Sequence, residues 1–120
     1  MGTNQALGRW GEEIGAEFLR SAGWRILAQN FRARHKEIDL IARKGQIVIF
    51  VEVKARRGLD YGHPLESLRW RQRLDIGRAA EVWIARNGRP DHLYRFDLIS
   101  IYLPPGRPPQ IEHLEDAWRP

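Results

Sequence analysis

The hydrophobic positions of this 120-residue chain change period several times, and each change predicts an element. Leu7, Trp10, Ile14 and Phe18, with Leu19 alongside, recur at helical spacing. Asn4 reads as the N-cap of this first helix and Gly23 as the residue that closes it. Trp24 to Phe31 reads as a strand that opens a sheet. Glu37 to Ala42 alternates, and beyond Lys44-Gly45 the run Gln46 to Lys54 is rich in Val, Ile and Phe, a hairpin pattern with a two-residue loop. Tyr61 to Pro64 makes a turn. A second amphipathic helix follows from Leu65 to Arg86, with Leu68, Gln72, Ile76, Ala79 and Trp83 on one stripe and Asn87-Gly88 at its end. His92 to Leu103 alternates again. Pro104 to Pro109 is a stiff linker, residues 1–6 are a flexible lead, and Ile111 to Trp118 returns to the body. The order α-β-β-β-α-β predicts a single domain over residues 1–120, an α/β or α+β sandwich with a mixed sheet.

The hairpin carries the chemistry. A Lys44-Gly45 loop pairs Arg43 with Gln46, Asp39 with Phe50 and Glu37 with Glu52. Alternation places Glu37, Asp39 and Ile41 on one face, beside Val48, Phe50, Glu52 and Lys54 of the second strand. Asp39 and Glu52 then become diagonal neighbours, about 7 Å apart at Cβ. Three carboxylates against one ammonium leave a formal −2 on an otherwise apolar face. Buried and unpaired, such charges cost several kcal/mol each. A divalent cation on Asp39 and Glu52 cancels the deficit, and hard oxygen ligands select Mg²⁺ or Mn²⁺. The plainer alternative is a solvated strand end with Lys54 and Glu52 as a surface pair.

Composition narrows the classes. There is no cysteine, which excludes disulfide scaffolds, zinc fingers and thiol catalysis. The four His residues are too scattered in sequence to argue a metal site. The longest apolar run, Ile47 to Val51, is too short to cross a membrane, and the N-terminus has no apolar signal core, so the expectation is a cytoplasmic protein with no membrane partner. The net charge is +5, and 17 of the 20 basic residues are Arg. Guanidinium forks suit phosphate backbones. Arg32, Arg34, Lys36, Arg56 and Arg57 flank the carboxylate strands, so basic side chains are expected to rim the acidic site and grip a nucleic acid, DNA first.

Asp39 followed by Phe50-Val51-Glu52-Val53-Lys54 resembles the D…ExK signature of the restriction-endonuclease-like nucleases. Longer stretches are more specific. Gly8 to Glu13, Gly23 to Leu27, Asn30 to Arg32, Glu37 to Ile41, Val51 to Arg56, Arg95 to Asp97 and Ile111 to Leu114 together resemble the YraN family of small bacterial proteins over nearly the whole chain. That resemblance implies a restriction-endonuclease-like three-layer sandwich and a layout similar to Holliday-junction resolvases. It implies metal-dependent hydrolysis of a phosphodiester leaving a 5′-phosphate.

The resolvases' helical glutamate maps onto Glu12, which by itself reads equally well as an acid favouring the helix dipole. Gly8, Gly11 and Gly15 would form a stripe that lets the helix approach the sheet. In the implied site Asp39, Glu52 and the Val53 carbonyl hold the ion. Lys54 holds the attacking water or stabilises charge building on phosphorus. Glu12 acts through water or a second ion, and Glu37 is an outer acceptor.

Departures are Lys36, where the family usually has Gly, and Ala55, where Thr is usual. Arg71, Gln72 and Arg73 fit more than one alignment and receive no role. Trp70 either packs or stacks on an unpaired base. Junction, flap, duplex, single strand and RNA all fit as substrates, and a symmetric cut of two strands calls for a homodimer. The competing class is a non-catalytic accessory protein on the same scaffold that binds nucleic acid or a partner. Metal-dependent cleavage separates the two.

Overall fold

A computed structural model describes residues 4–58 and 68–120, with side chains from Ala6 onward. Its elements are α1 (Asn4–Ser21), β1 (Arg25–Ala33), β2 (Lys36–Lys44), β3 (Ile47–Arg56), α2 (Trp70–Asn87), β4 (Leu93–Tyr102) and β5 (Gln110–Trp118). The five strands form one mixed sheet in the order β1-β2-β3-β4-β5. Strands β1, β2 and β3 are antiparallel neighbours, β3 and β4 run parallel, and β5 returns antiparallel to β4. The parallel pair requires a crossover, and α2 supplies it. The expected α/β sandwich is therefore present, with Ile111–Trp118 as a fifth strand rather than a loose return.

Strand β3 shows why the sheet needs a helix on each face. Val48 and Phe50 join Ile76, Ala79, Ala80 and Trp83 of α2 in one core. The intervening Ile49 and Val51 join Ala16 and Leu19 of α1 in the other. A strand buried on both faces reads as a continuous apolar run, which is what Ile47 to Val51 is. Helix α1 lies close because Gly11 and Gly15 carry no side chain: a Cβ on Gly11 would come within 2.7 Å of the Ala55 Cβ, and one on Gly15 within 3.4 Å of Val53. Gly8 meets nothing within 4 Å and is not part of that stripe. Gly11→Ala should push α1 off β3 and lower stability by roughly 1–3 kcal/mol, read as a drop in the urea midpoint. Gly8→Ala should leave the midpoint unchanged or raise it.

Several expectations need correction. Trp10 is 53% exposed; the buried line of α1 runs through Gly11, Gly15, Ala16 and Leu19 instead. Asn4 is the first helical residue and not a cap outside the helix. Gly23 does close α1: its φ is 93°, its N–H donates to Arg20 and the Trp24 N–H donates to Leu19, a Schellman pattern. Helix α2 begins at Trp70, later than Leu65, because the Arg69 N–H is taken by the Gln72 side chain at 3.3 Å and fixes the start there. The turn expected at Tyr61 to Pro64 lies outside the described residues.

The hairpin loop is Gly45-Gln46 and not Lys44-Gly45, since Lys44 pairs with Ile47. Glycine takes the first loop position because φ there is positive, 61° at Gly45. The one-residue displacement changes every pairing, so Ile41 faces Phe50 and Leu40 faces Val51. Extended by one step, this register sets Asp39 directly opposite Glu52, not diagonal to it. A second tight hairpin, between β1 and β2, carries Arg34 and His35 at φ 52° and 67°, the two positive values of a type I′ turn.

Candidate metal and nucleic-acid site

The site forms where the sheet departs from strict alternation. Ile38 and Ile41 both pack into the α2 core, although residues three apart on a regular strand point to opposite faces. The same break occurs on β1, where Ala28 and Phe31 both pack against that core and Asn30, between them, has φ 52°. Glu37 therefore does not share a face with Ile41. The break turns Glu37 and Asp39 toward α1, whose Glu12 is held close by the Gly11 and Gly15 contacts. One carboxylate oxygen from each of Glu12, Glu37 and Asp39 lies within 4.8 Å of the others.

Asn30 ties this group together. Its Nδ2 donates to Glu12 Oε1 at 2.7 Å and to Glu37 Oε1 at 3.2 Å, so one amide bridges two acids from separate elements. Its position in the Asn30-Phe31-Arg32 stretch, one turn before the acidic strand, was the only signal in the sequence, and it gave no role. Glu37 is further balanced by Arg32 at 3.0 Å.

Glu52 enters from the α2 side and is nearly buried. Gln72 of α2, the same side chain that fixes the helix start, donates to Glu52 Oε2 at 3.5 Å. Lys54 Nζ stands 3.4 Å from that oxygen. Because Glu52 is buried, the pair is not the solvated surface contact of the plainer alternative. Asp39 Oδ2 accepts the Val53 N–H at 2.8 Å, so Val53 contributes to the site through its backbone. A cleft of about 240 Å³, lined by His35, Lys36, Glu37, Asp39, Glu52 and Gln72, opens onto these groups.

The electrostatics follow from burial and crowding. Burial and the facing Glu52 charge push the Asp39 carboxyl up to about 8, against the pull of the Val53 N–H. Burial also raises Glu52, with Lys54 and Asp39 opposing. Burial raises Glu12 despite its bond from Asn30. Burial and mutual repulsion thus favour the protonated form of the opposed Asp39–Glu52 pair, and a bound cation would relieve both. The donors are all carboxylates, and hard-cation ligands at about 2.0–2.6 Å from one ion lie within roughly 5 Å of one another. The residues present fit Mg²⁺ or Mn²⁺.

The basic rim is partly committed within the fold. Arg32 pairs with Glu37, and Lys36 pairs with Asp75 of α2 at 3.2 Å. Arg34 and Arg57 are exposed, and Arg56 is half-buried. Trp70 is 70% exposed at the start of α2 and is not core. No helix among the described residues is long and apolar enough to cross a membrane.

A separate polar cluster lies under α1. Asp97 is buried and receives two bonds from Arg95, at 2.9 and 2.8 Å, a contact from His113 Nε2 at 2.7 Å and the Asp116 N–H at 3.0 Å. Arg95 also stacks over the Trp24 ring at 5.6 Å. Every partner here is satisfied from within the chain, which marks the cluster as a brace between β4 and β5.

Comparison with known proteins gives the family of the chain. Residues 11–101 match the model of the uncharacterised protein family UPF0102. A UPF0102 protein of Nocardia farcinica is 48% identical over 98% of this chain and 93% of its own length. One from Rhodococcus jostii is 43% identical over 98% of this chain and its full length, and one from Trichlorobacter lovleyi is 41% identical over 96% and 91%. With the matched segment spanning α1 through β4 and relatives aligned end to end, the chain belongs to the UPF0102 (YraN) family.

Proposed function

We propose that this protein is a metal-dependent nuclease that hydrolyses phosphodiester bonds in DNA. The observation that carries the reading is the carboxylate group at the cleft: oxygens of Glu12, Glu37 and Asp39 within 4.8 Å of one another, the nearly buried Glu52 lining the same cleft as Asp39, and Lys54 3.4 Å from Glu52. Asp39 and Glu52, with the Val53 carbonyl, would hold Mg²⁺ or Mn²⁺, and Glu12 and Glu37 would complete or support its shell. The ion, when bound, supplies a polarised phosphate oxygen and a water acidified for attack.

The chain's own residues do the rest. Lys54 is paired with Glu52, which lines the cleft, and its ammonium would orient the attacking water or offset charge building on phosphorus. Gln72 keeps Glu52 in place from the far side, and Asn30 fixes the spacing of Glu12 and Glu37. Arg34 and Arg57 are exposed and would take backbone phosphates on either side of the scissile bond, each adding about 0.9 to the salt slope on duplex DNA. None of the described groups is arranged as a reader of base edges in a duplex groove, so recognition by shape is the better expectation.

The test is cleavage of labelled four-way junction, flap, duplex, single strand and RNA with Mg²⁺ or Mn²⁺, beside Asp39→Ala and Lys54→Ala. Metal-dependent cutting by the parent, lost in both variants while binding persists, is expected, and the preferred substrate names the role. A preference for junctions would bring with it a homodimer, since two strands must be cut symmetrically. Binding without cutting on every substrate would overturn the nuclease reading in favour of an accessory binding protein.

A further inference from the structure

Beyond Lys54 the α2-side face of the sheet continues past the helix as a polar surface built on three strands. Lys54 of β3 pairs with Ser100 of β4, and Ser100 pairs with Glu112 of β5. One row on, Arg56 pairs with Tyr102 and Tyr102 with Gln110. Arg56, Ser100, Tyr102, Gln110, Ile111 and Glu112 line a pocket of about 260 Å³. Arg56 lies two residues from Lys54 on the same side of β3, roughly 7 Å along the strand. The pocket therefore lies along the strands just beyond Lys54, whose ammonium pairs with Glu52 of the acidic cleft.

Its chemistry is mixed, and that decides the ligand class. The Arg56 Nε is buried with no hydrogen-bond partner among the described residues, an unusual state for a guanidinium N–H. Ser100 and Tyr102 add hydroxyls, and Gln110 an amide. Glu112 places a carboxylate in the same pocket. A bare phosphate would be repelled by that carboxylate. A nucleobase uses all of it: a π-face for Tyr102 and the Arg56 plane, ring acceptors for Arg56 and Gln110, and an exocyclic amine for Glu112. The volume is below that of drug-sized ligand sites and suits a single base.

We propose that this pocket receives one unpaired nucleobase of the strand lying across the acidic cleft, next to the phosphate at Lys54. The inference rests on the nuclease reading for the strand's path, and it deepens that reading by naming the substrate class: DNA with unpaired bases at the cut, as in a single strand, flap or opened junction. An intact duplex keeps its bases stacked and cannot fill the pocket. Glu112 adds a choice among bases, since cytosine and adenine carry an exocyclic amine and thymine does not.

The experiment is fluorescence anisotropy of labelled oligonucleotides on the full chain with Ca²⁺ in place of Mg²⁺, which reads binding without turnover. Oligo-dC should bind at least about tenfold more tightly than an abasic strand of equal length. Tyr102→Ala should erase that difference while leaving duplex affinity unchanged. Glu112→Ala should weaken oligo-dC and leave oligo-dT as it was. If the surface is only electrostatic, removing the acid instead tightens every strand, opposite in sign, and the proposal fails. Equal affinity for abasic and natural strands also overturns it. A protein that discriminates bases but cuts nothing retains the pocket and loses the nuclease reading. One that cuts, with no effect of either variant on discrimination, retains the nuclease and loses the pocket. Thermal midpoints of the two variants within a few degrees of the parent establish that they are folded.

Discussion

Asp39→Asn is expected to make the metal-free protein more stable at pH 8 while lowering metal-dependent cleavage by about 10²–10³-fold or more. The two effects have one cause. Asp39 is partly buried opposite Glu52, and its carboxyl is raised from 3.8 to about 8. A group whose folded pKa lies above its unfolded value contributes stability that is complete below the unfolded pKa and is lost as pH rises through the folded one. The metal-free parent should therefore lose stability between about pH 4 and pH 8, by as much as several kcal/mol. Asparagine cannot ionise, so the variant should keep only the smaller losses from the raised Glu12 and Glu52 and pull ahead of the parent as pH rises. Mg²⁺ or Mn²⁺ should raise the parent's midpoint more at pH 8 than at pH 5, and should do little for the variant. Thermal melts in chelator and in metal at both pH values check this. A flat parent curve in chelator, or a variant less stable than the parent at pH 8, would refute the account of the site as short of a cation.

The second large effect lies away from the cleft. Asp97→Ala should destabilise the fold by about 3–5 kcal/mol, a fall in the melting midpoint on the order of 10–20 °C. The substitution leaves His113 without its carboxylate, leaves Arg95 only the exposed Glu115 as an ion-pair partner, and removes the acceptor of the Asp116 N–H. Burial by itself would raise the Asp97 carboxyl, but the His113, Arg95 and Asp116 bonds outweigh it and hold the group below its ordinary value. The sign is opposite to that at Asp39: this contribution is present above the unfolded pKa of about 3.9 and is lost as pH falls through the folded pKa. The metal-free parent should thus be most stable near pH 4–5 and decline on both sides, for different reasons at each end. If Asp97→Ala melts within a few degrees of the parent, the cluster does not brace β4 against β5. Cleavage per folded molecule, measured well below the variant's midpoint, should be unchanged, because none of the Asp97 partners faces the cleft.

Much of the architecture could be read from pattern because the patterns are set by burial. Ile47 to Val51 announced a strand covered on both faces, and the period of α2 through Ile76, Ala79 and Trp83 announced its buried stripe. The Glu52-Val53-Lys54 spacing was enough to put a buried acid and its lysine at the end of β3. The same reasoning failed at Trp10, where helical spacing has no means of telling a residue that faces the sheet from one beside it. The stripe that does face the sheet is made of glycines, which carry no hydrophobic signal. It failed again in the β2–β3 loop. Lys44-Gly45 and Gly45-Gln46 both satisfy a two-residue pattern, and only the requirement for a positive φ at the first position chooses between them.

The sequence by itself determined the first six elements and their order, the apolar runs that make both cores, and the identity of the acids and the lysine, because these follow from local periodicity and side-chain chemistry. Tertiary structure alone decided which acids meet. The break in alternation at Asn30 and Asp39 turns Glu37 toward α1, the glycine contacts bring Glu12 in from eighteen residues before Asn30, and Gln72 reaches Glu52 from the opposite helix. Those encounters depend on distances between elements remote in the chain, and local spacing carries no information about them.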